Sequence, residues 1–131
     1  MRVLPDTSAY AAWKRGDAAT VELVRRAEEI LFSAVVAGEL HFGFRRGSRE
    51  RRSLAELEEL LASPFVRFLD VTATTADRFG RIAFALRKKG RPIPTNDIWI
   101  AAHAMEFGAD LVSFDRHFEA VDGLVLVRPG D

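Results

Sequence analysis

Five short apolar runs separated by longer stretches of helical periodicity constrain this chain more than any other feature. The runs are RVLPD (Arg2 to Asp6), EILFS (Glu29 to Ser33), VRFLDV (Val66 to Val71), DLVSF (Asp110 to Phe114) and LVLV (Leu124 to Val127). Each is brief and largely apolar, as strands covered on both faces must be. Between them the spacing predicts helices over Ser8–Lys14, Ala18–Glu28, Ala34–Arg46, Arg49–Ala62, Thr74–Lys89 and Asn96–Phe107, with a short turn after Asp115. Asp17, Ser33, Ser48 and Thr74 stand where caps belong, and Gly47, Gly90 and Gly108 where helices stop. Strands alternating with helices specify an α/β fold: a three-layer sandwich with a five-stranded, mainly parallel sheet and helices on both faces. No repeat or long linker divides it, so a single domain over residues 1–131 is expected.

Composition matters for what it excludes. With 48% hydrophobic residues the chain can build a core, and it contains no apolar run of the ~18 residues a membrane span needs. The start, MRVLPDTSAY, turns polar too early for a signal peptide, so a cytoplasmic protein without membrane association is expected. Cysteine is absent, which removes disulfides, thiol nucleophiles and sulfur-ligated zinc; any metal must sit on oxygen or imidazole. The 19 basic and 19 acidic residues cancel, so only their distribution can argue for nucleic-acid binding.

In a parallel sheet, ligands bind at the carboxyl ends of the strands. Asp6 ends the first strand, followed by Thr7 and Ser8, and Asp115 lies just beyond the fourth. Glu39 sits in the helix after the second strand, and because Cβ bonds tilt toward a helix N-terminus its side chain points back to the same edge. Asp97, in IPTNDIWIAAHA, opens the helix that feeds the fourth strand and so begins at that edge too. Taken alone, it is a first-turn acid facing the positive end of a helix. Four converging carboxylates are another matter, since two of them ~4 Å apart repel by ~4 kcal/mol at an effective dielectric near 20. Either some stay protonated or a hard cation such as magnesium or manganese sits among them.

The segments VLPDTSAY, SAVVAGELHFGF, IPTNDIWIAAHA and LVSFDRHFEAVDGLVLV, in that order and spacing, resemble the PIN-domain family and, within it, the VapC-type toxins of bacterial and archaeal toxin–antitoxin pairs. The resemblance covers nearly the whole chain. It implies a PIN-like fold and a metal-dependent endoribonuclease that cuts RNA, with Asp6, Glu39, Asp97 and Asp115 as the catalytic acids. Asp6, Asp97 and Asp115 would hold Mg2+ or Mn2+, and Thr7, Ser8, Asn96 and Ser113 would steady the carboxylates or a water. Ser113 stands where the family more often has threonine. The resemblance also implies a VapB-like antitoxin partner and a homodimer, with the first helices as the contact surface. A PIN-like module that holds RNA or antitoxin without cutting is the alternative. Haloacid-dehalogenase chemistry wants a second aspartate where Ser8 stands, and a receiver domain wants an acidic pair and a Lys-Pro where this chain has VRPG.

Basic residues form a second constellation. FRRGSRERR carries Arg45, Arg46, Arg49, Arg51 and Arg52, and RKKGR carries Arg87, Lys88, Lys89 and Arg91. Arg45, Arg46, Arg49, Lys88 and Arg91 are candidate phosphate contacts, although neighbouring glutamates make solvated helix faces equally consistent. His41, His103 and His117 lack zinc spacing and read as surface or helix residues. Trp13, Phe42 and Phe44 read as core or interface aromatics, Asp77 as a helix-dipole acid and Asp70 as a loop acid. Pro5 breaks the strand pattern, because proline donates no backbone N–H. Either the first strand ends at Leu4, or Pro5 displaces Asp6 and weakens the site.

Overall fold

The computed structural model describes residues 1–131. In chain order it contains β1 (Arg2–Pro5), α1 (Thr7–Lys14), α2 (Ala18–Arg25), β2 (Glu29–Ser33), α3 (Ala34–Arg46), α4 (Glu50–Leu61), β3 (Val66–Leu69), α5 (Ala73–Lys89), α6 (Thr95–Phe107), β4 (Asp110–Val112) and β5 (Leu126–Val127). A single 3₁₀ turn, Arg116–Ala120, follows β4. No helix is long and apolar enough to cross a membrane.

The sheet runs β3-β2-β1-β4-β5, and every pairing is parallel. Alternation along the strands feeds both faces. Leu4 and Leu111 enter the larger apolar cluster with Phe32, Leu40, Ile100 and Phe118, whereas Val3 and Val112 enter a smaller one with Ala9, Leu23 and Val24. Burial on both sides is why β1, β2 and β4 read as nearly unbroken apolar runs, whereas the edge strand β3 leaves Arg67 and Phe68 exposed. The chain starts in the middle of the sheet, builds β2 and β3 outward on one side, then returns to place β4 on the other side of β1. The reversal between β1 and β4 opens a crevice at their carboxyl ends, which is where ligands sit in open α/β sheets.

Several helix starts differ from expectation, each for a local reason. Asp17 and Ser33 cap α2 and α3 as their spacing predicts. Helix α4 instead begins after Arg49, without any side-chain cap, because Gly47 leaves α3 in an extended conformation and Ser48 lies one residue too early. Helix α5 is capped by Thr72 rather than Thr74. Thr72 and Thr75 stand three residues apart and exchange reciprocal bonds between hydroxyl and backbone N–H, a pairing Thr74 cannot make. Gly90 and Gly108 end α5 and α6 at φ +68° and +62°, backbone that favours glycine.

His103 is a helix residue, on α6, but it is fully buried there. Its Nδ1 lies 2.8 Å from Ser33 Oγ and its Nε2 3.0 Å from the Asp70 carbonyl. A carbonyl only accepts, so Nε2 donates to it, while Nδ1 pairs with the Ser33 hydroxyl. Ser33 Oγ also accepts from the Val35 N–H at the start of α3. The ring therefore ties α6 to the carboxyl ends of β2 and β3.

Candidate active site

Asp6 leaves β1 at the crevice and serves as the N-cap of α1, its Oδ1 accepting from the Ala9 N–H at 2.9 Å and from Ser8 Oγ at 2.7 Å. Its Oδ2 accepts from Ser113 Oγ at 2.6 Å. The same two serines also reach the segment after β4: Ser8 Oγ accepts from the Phe114 N–H and Ser113 Oγ from the Asp115 N–H. One carboxylate and two hydroxyls thus stitch the ends of the two central strands together. Capping and site-building are not alternatives here; Asp6 does both. The side chain is only 2% exposed. Burial raises its pKa, and the nearby Asp115 charge adds to the rise, against lowering by the Ser113, Ser8 and Ala9 hydrogen bonds.

Glu39 projects from α3 over the same edge. Its Oε1 accepts from the Thr7 hydroxyl, and its Oε2 from Asn96 Nδ2 at 3.3 Å. Asp97 lies in the first turn of α6, which starts at Pro94 without a side-chain cap. Burial is the main cause of its raised pKa, with Glu39 and Asp6 adding repulsion and His117 opposing the shift. His117 Nε2 sits 2.7 Å from Asp97 Oδ2. The ring N–H is not aligned on that oxygen, so Nε2 remains a buried nitrogen without a formed hydrogen bond, close enough for charge attraction but poorly directed.

Asp6, Thr7, Ser8, Glu39, Asn96, Asp97 and Asp115 all line one open cleft of about 490 Å³ together with Pro94 and Thr95, and no hydrophobic side chain contributes to it. Ser113 reaches it through Asp6. The donor set suits a hard cation: it is oxygen-only and rich in carboxylates that burial and mutual repulsion penalise when charged. As the side chains stand, no three acids or histidines gather closely enough to hold one ion. Each carboxylate of Asp6, Glu39 and Asp97 faces a protein partner, so a shared ion requires side-chain rotation within the cleft.

A PIN-domain family model matches residues 3–124. The chain belongs to the PIN-domain family. Ribonuclease VapC2 of Haemophilus influenzae is 36% identical to this PIN domain over 101 residues, 76% of this chain and 75% of that protein. The tRNA(fMet)-specific endonuclease VapC of Shigella flexneri is 33% identical over 97 residues, 73% of this chain and 72% of the relative. Among solved structures, VapBC-1 from nontypeable Haemophilus influenzae superposes with a TM-score of 0.84 at 26% identity, covering 98% of each chain.

The basic residues are brought to the site unevenly. Arg46 lines a groove that shares Thr7, Glu39 and Asn96 with the cleft of this PIN domain. Arg45 instead faces Glu50 at 3.9 Å, and Arg49 lines a separate hollow between α1, α3 and α4 with Arg52 and Glu56. Lys88 lies over the Phe84 ring, and neither Lys88 nor Arg91 lines the cleft or its neighbouring groove. His117 was not legible as a site residue, since its closeness to Asp97 depends on how the 3₁₀ turn docks. Trp13 and Phe44 pack on the core, but Phe42 is 64% exposed and belongs to no core cluster.

The structure also decides where the first strand ends. β1 runs through Pro5, which pairs in register with Val112, so it does not stop at Leu4. The Asp6 N–H donates to the Val112 carbonyl on the β4 side, so the nitrogen of Pro5 faces β2. There the paired register extends only to Val3 and Ile30. Replacing Pro5 by valine would add a donor worth ~0.5–1.5 kcal/mol while loosening the unfolded chain by ~0.4–1 kcal/mol. Because these nearly cancel and Asp6 keeps its own three donors, Pro5→Val is expected to shift the melting temperature by under ~4 °C and leave manganese affinity unchanged. A several-fold gain in manganese affinity, measured by calorimetry, would show that Pro5 displaces Asp6.

Proposed function

We propose that this PIN domain is a magnesium- or manganese-dependent endoribonuclease and the toxin of a toxin–antitoxin pair, acting in the cytoplasm. The observation that carries the reading is the carboxylate-rich cleft at the β1–β4 reversal, lined by Asp6, Glu39, Asp97 and Asp115. A divalent ion held by Asp6, Asp97 and Asp115 supplies Lewis-acid polarisation of a phosphodiester and a lowered water pKa. The protein does the rest by position. Asp6 is immobilised by Ser8, Ala9 and Ser113, giving the site one fixed carboxylate. Glu39 is aimed by Thr7 and Asn96, and its Oε2, held only by the longer Asn96 contact, is the oxygen free to take a proton from the attacking water. Tying the Asp115 N–H to Ser113 leaves that carboxylate to the cleft.

The names of the relatives support RNA as the substrate, and the VapBC assembly supports a VapB-like antitoxin as the partner. An arginine or lysine from such a partner would satisfy the acidic cleft electrostatically in place of the cation. The non-cutting alternative is favoured by one observation, that no three ligands are gathered for an ion as the side chains stand. Incubating the purified protein with end-labelled single-stranded RNA separates the two. Cleavage should require added magnesium or manganese and cease in excess EDTA. RNA that is retained yet stays intact with either ion present would assign the binding module instead.

A further inference from the structure

We propose that Phe42 and Arg46 form a platform on which an unpaired nucleobase of single-stranded RNA stacks beside the acidic cleft. The inference rests on the ribonuclease reading and concerns how that same site grips its substrate.

Glu39, Phe42 and Arg46 recur at i, i+3 and i+7 on α3, a spacing that keeps them on one helical face. At 1.5 Å per residue they rise ~4.5 and ~10.5 Å from the carboxylate along the helix. A groove of about 590 Å³ runs over this face, lined by Val35, Gly38, Phe42 and Arg46, and merges with the cleft through Thr7, Glu39 and Asn96. Gly38 contributes no side chain, and a Cβ built there meets nothing within 4 Å, so the path between Glu39 and the ring is open.

Phe42 is 64% exposed, and what sets it apart from other exposed aromatics is its place beside the cleft. Phe65, Phe68 and Phe84 are exposed as well, but none of them lines the cleft or this groove. The Arg46 guanidinium lies over the Phe42 ring, 4.7 Å from its centre, and places a positive charge beside the groove. Arg46 has no carboxylate partner among the ion pairs of the structure, unlike Arg45 and Arg52. An aromatic face for a base, next to an unpaired guanidinium for a phosphate, is the chemistry by which proteins hold single strands with little sequence preference. A duplex keeps its bases stacked on one another and offers none to Phe42. The platform therefore selects unpaired segments.

The test compares wild type with Phe42→Ala, Phe42→Leu and Phe42→Trp for binding a fluorescent single-stranded RNA in EDTA, and for cleavage kinetics with manganese. Alanine and leucine should each weaken binding about 5- to 100-fold and raise KM more than they lower kcat, while tryptophan retains wild-type affinity and its emission is quenched by RNA. Leucine is the discriminating variant, because a protein partner docking on an apolar patch would tolerate it and a stacked base would not. Equal RNA affinity for wild type and alanine overturns the proposal. So does a change of oligomeric state in the alanine variant with RNA affinity intact, which would give Phe42 to a protein interface. If wild type fails to cut RNA but the variants show the expected affinity order, the platform stands and the nuclease reading falls; if all variants cut with one KM, only the platform falls. Absence of RNA binding by wild type sinks both.

Discussion

Asn in place of Asp97 should abolish RNA cleavage and, in metal-free protein, raise the melting temperature. The substitution keeps the shape of the side chain and removes one charge from a cleft that three other carboxylates line. Burial, reinforced by Glu39 and Asp6, raises the Asp97 pKa despite the attraction of His117. The folded protein therefore holds this proton to a higher pH than the unfolded chain, whose value lies near 3.8. Below that value both states are protonated and Asp97 costs nothing. As pH rises through the window above it, the unfolded chain ionises first and stability falls, so the cost is complete once pH exceeds the folded-state pKa. The advantage of Asp97→Asn over wild type should accordingly vanish below pH 3.8 and grow as pH rises above it. The cleft is open and screened, which limits the gain to ~1 kcal/mol, or ~4 °C in a domain of this size. Manganese should reverse the order, stabilising wild type by mass action and the variant hardly at all. Melting curves at three pH values with and without manganese check this. Undiminished cleavage by Asp97→Asn would remove Asp97 from the reaction.

The largest effect on stability should come from His103→Leu. Leucine nearly matches the volume, so the loss is polar: the buried Ser33 hydroxyl and the Asp70 carbonyl both lose the imidazole. An unsatisfied buried group costs ~1–3 kcal/mol; Ser33 is buried, whereas Asp70 is exposed and its carbonyl can turn to water, so the loss is ~1–3 kcal/mol, a fall of roughly 4–12 °C in melting temperature. The midpoint of urea unfolding should drop while its slope is kept. Activity of the folded fraction should decline too, since Ser33 caps α3 and α3 carries Glu39. An unchanged midpoint would mean that water replaces the ring without penalty.

Element order was legible because strands buried on both faces leave continuous apolar runs, and helices leave their longer period. The four carboxylates were legible because topology alone sends strand ends to one edge. What stayed hidden depends on partners distant in sequence. His103 finds Ser33 across 70 residues and the Asp70 carbonyl across 33, and no local pattern announces either. His117 reaches Asp97 through the docking of a 3₁₀ turn. The Thr72–Thr75 box could have been found, since the spacing is local, but Thr74 offered a competing cap. Helical spacing does put Phe42 on the Glu39 face. Whether that face was covered depended on the neighbouring elements, so of the core and interface readings of Phe42 only the core one is excluded. The basic runs misled in the opposite way, because clustering in sequence left only Arg46 along the cleft's edge.

The stitch between the central strands also bears on when the protein can act. The Ser113 hydroxyl that holds Asp6 Oδ2 comes 107 positions after it, just past a strand that must slide in beside β1. Until that strand docks, β1 is paired on its β2 side alone and the cleft lacks the wall that carries Asp115. Non-local parallel pairing of this kind is slow to form and late to complete. The cleft is thus the last part of the fold to be completed, and its acids come together only once the two halves of the sheet have met.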